Sequence, residues 1–139
     1  MTEVTPILSA KDMEQAFEIR RQVFVIEQKV DPAEEYDEFE STCIQLLAKH
    51  DGVSCGTARI RKTENGTKLE RFAVLASYRG KGVGAALVEA CLQRLEAGTY
   101  AYMHAQEHAL EFYAKHGFEA TGERFWECEI PHFKMWKLV

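Results

Sequence analysis

The clearest chemical signal in this chain comes from three glycines and two cations in one short turn. The segment Arg79-Gly80-Lys81-Gly82-Val83-Gly84 follows alternating β-branched and aromatic residues and precedes an amphipathic stretch that begins at Val83. A chain that leaves a strand, turns through glycine and enters a helix directs unpaired backbone N–H groups into one small volume. Those donors, the helix dipole and the two side-chain charges predict an anion site, most naturally for phosphate.

The spacing of these glycines differs from that of the common nucleotide-binding turns. The turn lacks the Gly-Lys-Ser/Thr sequence of a P-loop, and Gly80-x-Gly82-x-Gly84 is not the Gly-x-Gly-x-x-Gly pattern of a dinucleotide fold. It matches Arg/Gln-x-x-Gly-x-Gly/Ala, the pyrophosphate-binding signature of the GNAT N-acetyltransferase superfamily. Downstream, the segment 112–118 (Phe-Tyr-Ala-Lys-His-Gly-Phe) resembles the GNAT segment that ends in Phe/Leu-Tyr-x-Lys-x-Gly-Phe.

Two further segments resemble a narrower group, the YjcF-like branch of small bacterial GNAT proteins. They are residues 23–30 (Val-Phe-Val-Ile-Glu-Gln-Lys-Val) and residues 122–132, which contain Gly-Glu-Arg-Phe-Trp-Glu and Ile-Pro-His. The resemblance therefore covers nearly the whole chain.

Length and composition fit one cytoplasmic domain spanning residues 1–139. The chain has 139 residues, no apolar run of about 20 residues such as a membrane span needs, and no signal-peptide pattern at its N-terminus. A net charge of −5 argues against nonspecific nucleic-acid binding. The four cysteines are scattered and are expected to be reduced. His104 and His108 straddle a strand–helix junction without an acidic partner, so no metal site is expected.

The periodicity predicts the order β-α-α-β-β-β-α-β-α-β-β. Strands are expected at 3–8, 42–49, 53–62, 68–75, 99–104, 118–128 and 133–138, with helices after the N-cap Ser9, at 33–39, from Val83 and at 107–116. This is an α/β (α+β) chain with a mixed, mostly antiparallel sheet of about seven strands and about four flanking helices. Similarity to GNAT proteins further implies a V-shaped splay between the fourth and fifth strands.

The same resemblance implies a binding site for acetyl-CoA, with no metal. The pantetheine arm is expected to pair with the backbone of the fourth strand, and an amide contact is expected from Gln106, where many members carry Asn. The pyrophosphate is expected on the turn. The implied cofactor-binding residues are Phe72, Ala73, Val74, Arg79, Gly80, Lys81, Gly82, Val83, Gly84 and Gln106.

Two residues are candidates for the proton transfers of acetyl transfer to an amine. The GNAT pattern makes Tyr113 the acid that protonates the departing thiolate; the alternative is a core aromatic on an amphipathic helix. Glu70 is the candidate base, because strand parity places it on the side of Phe72 and Val74. The alternative for Glu70 is an ion pair with Lys68 or Arg71.

The acceptor end is indicated by charge alone. Residues 27–40 carry seven carboxylates against one lysine, which is either a solvated acidic loop or a lip that attracts a cationic acceptor. On the second interpretation Glu27 and Asp37 bind the substrate ammonium. His104 and His132 are further candidates for base or substrate contact.

The predicted function is that of an acetyl-CoA-dependent N-acetyltransferase that moves an acetyl group to a primary amine by direct attack in a ternary complex. The alternative is an acyl-CoA-binding sensor without turnover. The predicted partners are acetyl-CoA and an amine acceptor, without nucleic acid or membrane. A homodimer is left open.

Overall fold

The computed structural model describes all residues, 1–139, and its elements follow the predicted order. The strands are β1 (Thr2–Pro6), β2 (Ile44–His50), β3 (Val53–Thr63), β4 (Gly66–Val74), β5 (Tyr100–Gln106), β6 (Glu119–Glu127) and β7 (Ile130–Leu138). The α-helices are α1 (Ala10–Arg20), α2 (Pro32–Glu35), α3 (Val83–Gln93) and α4 (Leu110–Ala114). None of the helices is long and apolar enough to cross a membrane.

The seven strands form one sheet in the order β1-β2-β3-β4-β5-β7-β6. All neighbours are antiparallel except β4 and β5, which run parallel and pair only at Thr67–Ala101 and Lys68–Tyr102. Beyond these two pairs the strands separate. This confirms the predicted mixed sheet and places the splay between the fourth and fifth strands.

Local signals account for the ends of several elements. The Ser9 hydroxyl accepts a hydrogen bond from the Asp12 amide at 3.1 Å and caps α1, as predicted. The helix continues as a π-helical segment, Arg21–Glu27, and the chain turns at Lys29 with φ 60°. Asp51 and Gly52 both have positive φ (50° and 84°), which fits the predicted type I′ hairpin turn.

Two predicted helices are shorter than expected. The helix predicted at 33–39 is only α2, because Tyr36 is extended and the next residues, starting at Asp37, bend toward arginines of the sheet. The helix predicted at 107–116 is a 3₁₀ turn (Glu107–Ala109) followed by α4, and Gly117 leaves it with φ 93°.

The two faces of the sheet are packed differently. On one face, α3 and α4 enclose an apolar core of 16 buried residues that includes Leu69, Leu87 and Met103. On the other face, α1 covers a smaller apolar cluster, and beside it arginines and carboxylates form a partly buried network. The site described next lies where the splay joins these two faces.

Candidate active site

A cavity of about 630 Å³ opens in the splay between β4 and β5. This volume is within the range of small-molecule sites. Residues from both faces of the sheet line it. The site residues predicted from the sequence that line this cavity are Glu27, Glu70, Phe72, Ala73, Val74, Arg79, Gly80, Gly82, Val83, Gly84, His104, Gln106, Tyr113 and His132. Two other predicted site residues, Asp37 and Lys81, do not line it.

The glycine turn leads directly into α3. Gly80 and Gly82 have φ of +79° and +84°, a conformation that side-chain-bearing residues rarely adopt. A Cβ at either position would meet no protein atom within 4 Å, so the backbone conformation, not internal crowding, requires glycine. Gly82 is the N-cap of α3, and the first amides of the helix therefore point toward the cavity mouth without intrahelical partners.

Arg79 is held by Glu27 across the cavity mouth. Its two terminal nitrogens donate to the Glu27 carboxylate at 2.6 and 2.7 Å, and its Nε donates to the Val74 carbonyl at 3.0 Å. The hydrogen bond from Arg79 lowers the pKa of Glu27. The sequence pattern assigns these two side chains to different ligands, whereas the structure pairs them with each other. Lys81 lies in a separate hollow beside His50 and Asp51.

Tyr113 lies in the cavity wall on the α3–α4 face. Its ring packs against Phe72 and Phe112, with centroid distances of 5.7 and 5.0 Å. The side chain is 8% exposed, and burial raises the pKa of the Tyr113 hydroxyl above its ordinary range. Tyr113 is therefore protonated at neutral pH and has a proton to donate.

Gln106 joins the end of β5 to the end of the π-helical segment. Its amide exchanges two hydrogen bonds with the amide of Gln28, at 2.9 and 3.2 Å. Gln28 and Glu27 are adjacent, so this segment contacts both arms of the splay.

The position of Glu70 differs from the one that strand parity predicts. Thr57 pairs with Ala73 and Arg59 with Glu70, so β4 has one extra residue, and Arg71 takes φ 57° in this bulge. Glu70 consequently faces the α1–α2 side, whereas Phe72 packs against Tyr113 on the opposite side. The shared-face argument for Glu70 as base is therefore wrong.

The surroundings of Glu70 fit the ion-pair alternative. The carboxylate accepts from Arg59 at 2.7 Å and from Arg61 at 3.1 Å, and Lys68 lies 3.4 Å away. Burial alone would raise the pKa of Glu70, but these three cations bring it below its ordinary value. A carboxylate so held is a weak base, although it still lines the cavity.

Asp37 lies outside the cavity because two arginines hold it. Arg59 donates to both of its oxygens at 2.8 and 2.7 Å, and Arg71 approaches within 3.3 Å. The hydrogen bond from Arg59 is the main cause that lowers the pKa of Asp37 to about 2. This position corrects the expectation that Asp37 contacts the acceptor.

The acidic stretch 27–40 is largely neutralised by arginines. Four of its seven carboxylates are paired with arginine: Glu27, Glu35, Asp37 and Glu40. The remaining three are Asp31, Glu34 and Glu38, and all three are exposed. Only those three residues can therefore form an acidic surface that attracts a cationic acceptor.

A cluster that the sequence pattern did not predict joins β5, β6 and β7. The Nδ1 of His104 lies 2.7 Å from one oxygen of Glu127, and the Nε2 of His132 lies 3.9 Å from the other. The Nδ1 of His132 lies 2.7 Å from the Ile130 carbonyl oxygen. Burial would raise the pKa of Glu127, but the hydrogen bond from His104 and nearby positive charge lower it.

The hairpin register explains why Glu127 escapes prediction from the sequence. The periodicity ends one strand at Cys128 and begins the next at 133, whereas the strands join through only Cys128 and Glu129. Both residues have positive φ (50° and 64°), although neither is glycine or asparagine, the usual signals of such a turn. The only signal from the segments around Glu127 and His132 is their similarity to a branch of GNAT proteins.

Comparison with known proteins shows the family. Residues 8–139 match the family described as acetyltransferase (GNAT) domain. The uncharacterized N-acetyltransferase YjcF of Bacillus subtilis is 37% identical over 92% of this chain and 96% of its own. An acyl-CoA N-acyltransferase of Pseudomonas aeruginosa has a TM-score of 0.86 at 30% identity, covering 99% of both chains.

A more distant structure shares the fold. An aminoglycoside 6'-N-acetyltransferase complexed with coenzyme A has a TM-score of 0.75 at 16% identity, covering 98% of this chain and 96% of that one. The chain described here belongs to the GNAT acetyltransferase family, and it is an acyltransferase enzyme.

Proposed function

We propose that this enzyme transfers the acetyl group of acetyl-CoA to a primary amine by direct attack within a ternary complex. The main support for the proposal is that the cavity passes through the gap between β4 and β5 from one face of the sheet to the other. The glycine turn and Tyr113 line it on one face of the sheet, and His104, Glu127 and His132 line it from the other. Two substrates that enter from opposite faces can therefore meet between β4 and β5.

The coenzyme has a complementary surface on the α3–α4 side. The backbone amides of residues 79–84 would hold the pyrophosphate, and Arg79 would exchange Glu27 for phosphate oxygen. From Leu69 onward the edge of β4 that faces β5 has no strand partner. That edge, at Phe72, Ala73 and Val74, would pair with the pantetheine amides, whose other side would meet Gln106.

The chemistry requires a proton donor and an oxyanion donor. In the proposed reaction the amine nitrogen attacks the thioester carbon, and a backbone N–H of the open β4 edge stabilises the oxyanion. The carbon–sulfur bond then breaks, and Tyr113 protonates the departing thiolate. The position of the Tyr113 hydroxyl at the cavity wall, without a hydrogen-bond partner in the protein, supports this role.

We also propose a cytoplasmic location. All four cysteines, Cys43, Cys55, Cys91 and Cys128, are unpaired, which fits a reducing compartment.

Binding and turnover separate this function from that of a sensor. Calorimetry is expected to show binding of acetyl-CoA and CoA, with ATP and NAD much weaker. A panel of polyamines, aminoglycosides, amino acids and peptides with free N-termini is then assayed for CoA release. At least one amine is expected to accelerate release. Binding of CoA without acceleration by any amine would favour the sensor, and absence of CoA binding would reject both functions.

A further inference from the structure

We propose that Glu127 and His132 bind the primary ammonium of the acceptor, that His132 Nε2 takes its proton, and that His104 holds the Glu127 carboxylate in position. The inference rests on the proposed function and specifies its acceptor end. The hydrogen bonds of the cluster fix which ring nitrogen of each histidine carries a proton.

The hydrogen bond to Glu127 fixes the tautomer of His104. The carboxylate is ionised, since its pKa is lowered, and an ionised carboxylate can only accept hydrogen bonds. The His104 Nδ1 at 2.7 Å must therefore donate, which leaves Nε2 of the neutral ring with a lone pair. The two nitrogens lie on opposite sides of the ring, so this Nε2 points away from Glu127, and the role of His104 is to position the carboxylate.

His132 is fixed in the same tautomer by the backbone. A carbonyl oxygen only accepts, so Nδ1 donates to Ile130 at 2.7 Å and Nε2 of the neutral ring has a lone pair. That Nε2 lies 3.9 Å from the second Glu127 oxygen, beyond hydrogen-bond distance. Two acceptors at this distance can both accept from one donor nitrogen that lies beside them. A primary ammonium has three N–H donors and one positive charge, which matches this set.

Glu127 differs from the other carboxylates of the cavity in its partners. Glu27, Glu35 and Glu70 are neutralised by arginines, and Glu34 lies at the exposed rim beside Cys128. Glu127 contacts only histidines, and its side chain is 43% exposed, so its charge remains available to a ligand.

The other charged and titratable groups around the cluster come from three elements. Lys68 of β4 contributes positive charge, although Glu70 already pairs with it. Lys134 of β7 lies over the rings of Tyr100 and Tyr102, at 5.6 and 5.3 Å. Glu34 of α2 forms a hydrogen bond with the thiol of Cys128, the residue after Glu127, and adds negative charge nearby. None of these groups forms an ion pair with Glu127.

The proton transfers balance as follows. His132 Nε2 takes one proton from R–NH₃⁺, and Glu127 stabilises the resulting imidazolium. The neutral nitrogen forms a bond to the thioester carbon, and the tetrahedral nitrogen loses a second proton to solvent. The sulfur leaves with the electron pair of the carbon–sulfur bond and takes the Tyr113 proton. Tyr113 regains its proton from His132 through solvent, so the net products are the amide, CoA–SH and one released proton.

Nitrogen NMR of the five histidines tests the binding half without requiring turnover. In protein labelled with ¹⁵N-histidine, both His104 and His132 are expected to show a protonated Nδ1 and an unprotonated Nε2. Titration with n-propylammonium, with and without bound CoA, is expected to shift the Nε2 signal of His132 in a saturable manner. Tetramethylammonium, which has the charge but no N–H donor, is expected to leave it unshifted.

Matched variants separate the cluster from ordinary carboxylate–histidine pairs. Glu127→Gln is expected to abolish the response to propylammonium and to leave calorimetric acetyl-CoA affinity unchanged. Glu89→Gln is the control, because Glu89 contacts His116 at 3.3 Å outside the cavity. Absence of any propylammonium response in wild-type protein, or an unaltered response in Glu127→Gln, would overturn the binding site.

Kinetics with the best amine of the panel tests the base. His132→Gln is expected to lower kcat by roughly 100-fold, as for loss of a positioned base, while the Glu127 carboxylate still attracts the ammonium. Unchanged kcat in that variant would remove the base role from His132. If propylammonium binds as expected but no amine is acetylated, the proposed function fails and the ammonium site stands. If acetylation occurs without the NMR response, the proposed function stands and the ammonium site fails.

Discussion

The two faces of the sheet supply the two ends of the cavity, and they are built by different forces. On the α3–α4 face, the glycine turn and Tyr113 rest on an apolar core of 16 buried residues. On the opposite face, β4 is held near the acceptor end by ion pairs that connect Arg59 and Arg71 to Asp37, Glu35 and Glu70. Apolar packing is insensitive to pH, whereas ion pairs depend on ionised carboxylates.

This difference indicates a division of roles. The coenzyme is a large ligand with a constant structure. A rigid apolar core beneath the glycine turn suits the binding of such a ligand. The proposed acceptor end carries several carboxylates, and the arginine network that pairs with Glu35, Asp37 and Glu70 leaves Glu127 without an arginine partner. Only a carboxylate that the arginines do not reach, such as Glu127, can meet a cation.

The largest effect is expected on the coenzyme side, from Tyr113→Phe. The change keeps the buried ring and removes only the proton donor, so kcat should fall at least roughly 100-fold while stability and CoA affinity change little. Steady-state kinetics should show equal losses in kcat and kcat/KM. Tyr102→Phe is the control, because Tyr102 is buried but does not line the cavity. Wild-type turnover in Tyr113→Phe would make Tyr113 a core aromatic.

The next largest effect concerns the glycine turn. Gly82→Val forces a branched side chain into φ +84°, so the turn must change its shape and lose an amide contact to phosphate. Acetyl-CoA affinity, measured by calorimetry, should fall roughly 30- to 100-fold, as for one charge-assisted hydrogen bond.

Gly122→Val provides the comparison for backbone strain. Gly122 also has positive φ (+79°), and a Cβ added there would meet no atom within 4 Å, but this residue lies away from the turn. Its loss of stability should resemble that of Gly82→Val, and its CoA affinity should equal that of wild type. Equal affinity losses in both variants would assign the effect to strain and not to the turn.

The acceptor side should be the acid-sensitive one. Asp37 has a folded pKa of about 2, below its ordinary 3.8, so its contribution to stability is complete above about pH 4 and is lost as pH falls through about 2. Asp37→Asn should therefore cost about 2 kcal/mol at pH 7, about 30-fold in the unfolding constant. Urea unfolding at pH 7 and at pH 2 measures this, and the two proteins should converge at the lower pH.

Glu38→Gln is the control for Asp37, because Glu38 is an exposed carboxylate of the same segment. It should leave unfolding unchanged at both pH values. A pH-independent difference between wild type and Asp37→Asn would mean that packing, and not the ion pairs, stabilises this face.

The smallest effect is expected where the two ends meet, at Glu27. Glu27→Gln removes the charge that holds Arg79, so Arg79 becomes free for phosphate and acetyl-CoA affinity should rise about threefold, more at low salt. The control is Glu18→Gln, which breaks a similar pair with Arg21 outside the cavity. If Glu27→Gln instead raises KM for the amine and leaves CoA affinity unchanged, Glu27 serves the acceptor, as the acidic stretch in the sequence indicates.

Short stretches of sequence were sufficient to predict the features whose interacting groups are neighbours in the chain. The turn at 79–84 and the segment at 112–118 each lie within a few consecutive residues, so their residue types identified the family, and the periodicity along the chain predicted the order of the elements. Ser9 and Asp51-Gly52 fixed their cap and turn for the same reason. In each case the groups that interact are neighbours in the chain, and a short pattern is sufficient to specify the local geometry.

Contacts between strands that are distant in the sequence set the geometry of the polar side of the cavity. The bulge at Arg71 reversed the face of Glu70, and the two-residue turn at Cys128 and Glu129 set the register that brings Glu127 to His104. Arg59 and Asp37 lie 22 positions apart in the sequence and meet only in the folded sheet. No local preference favours positive φ at Arg71, Cys128 or Glu129, because the Cβ of a non-glycine residue crowds the backbone there. Pairing along the full length of β3 and β7 offsets that cost, and such pairing exists only after distant strands have come together.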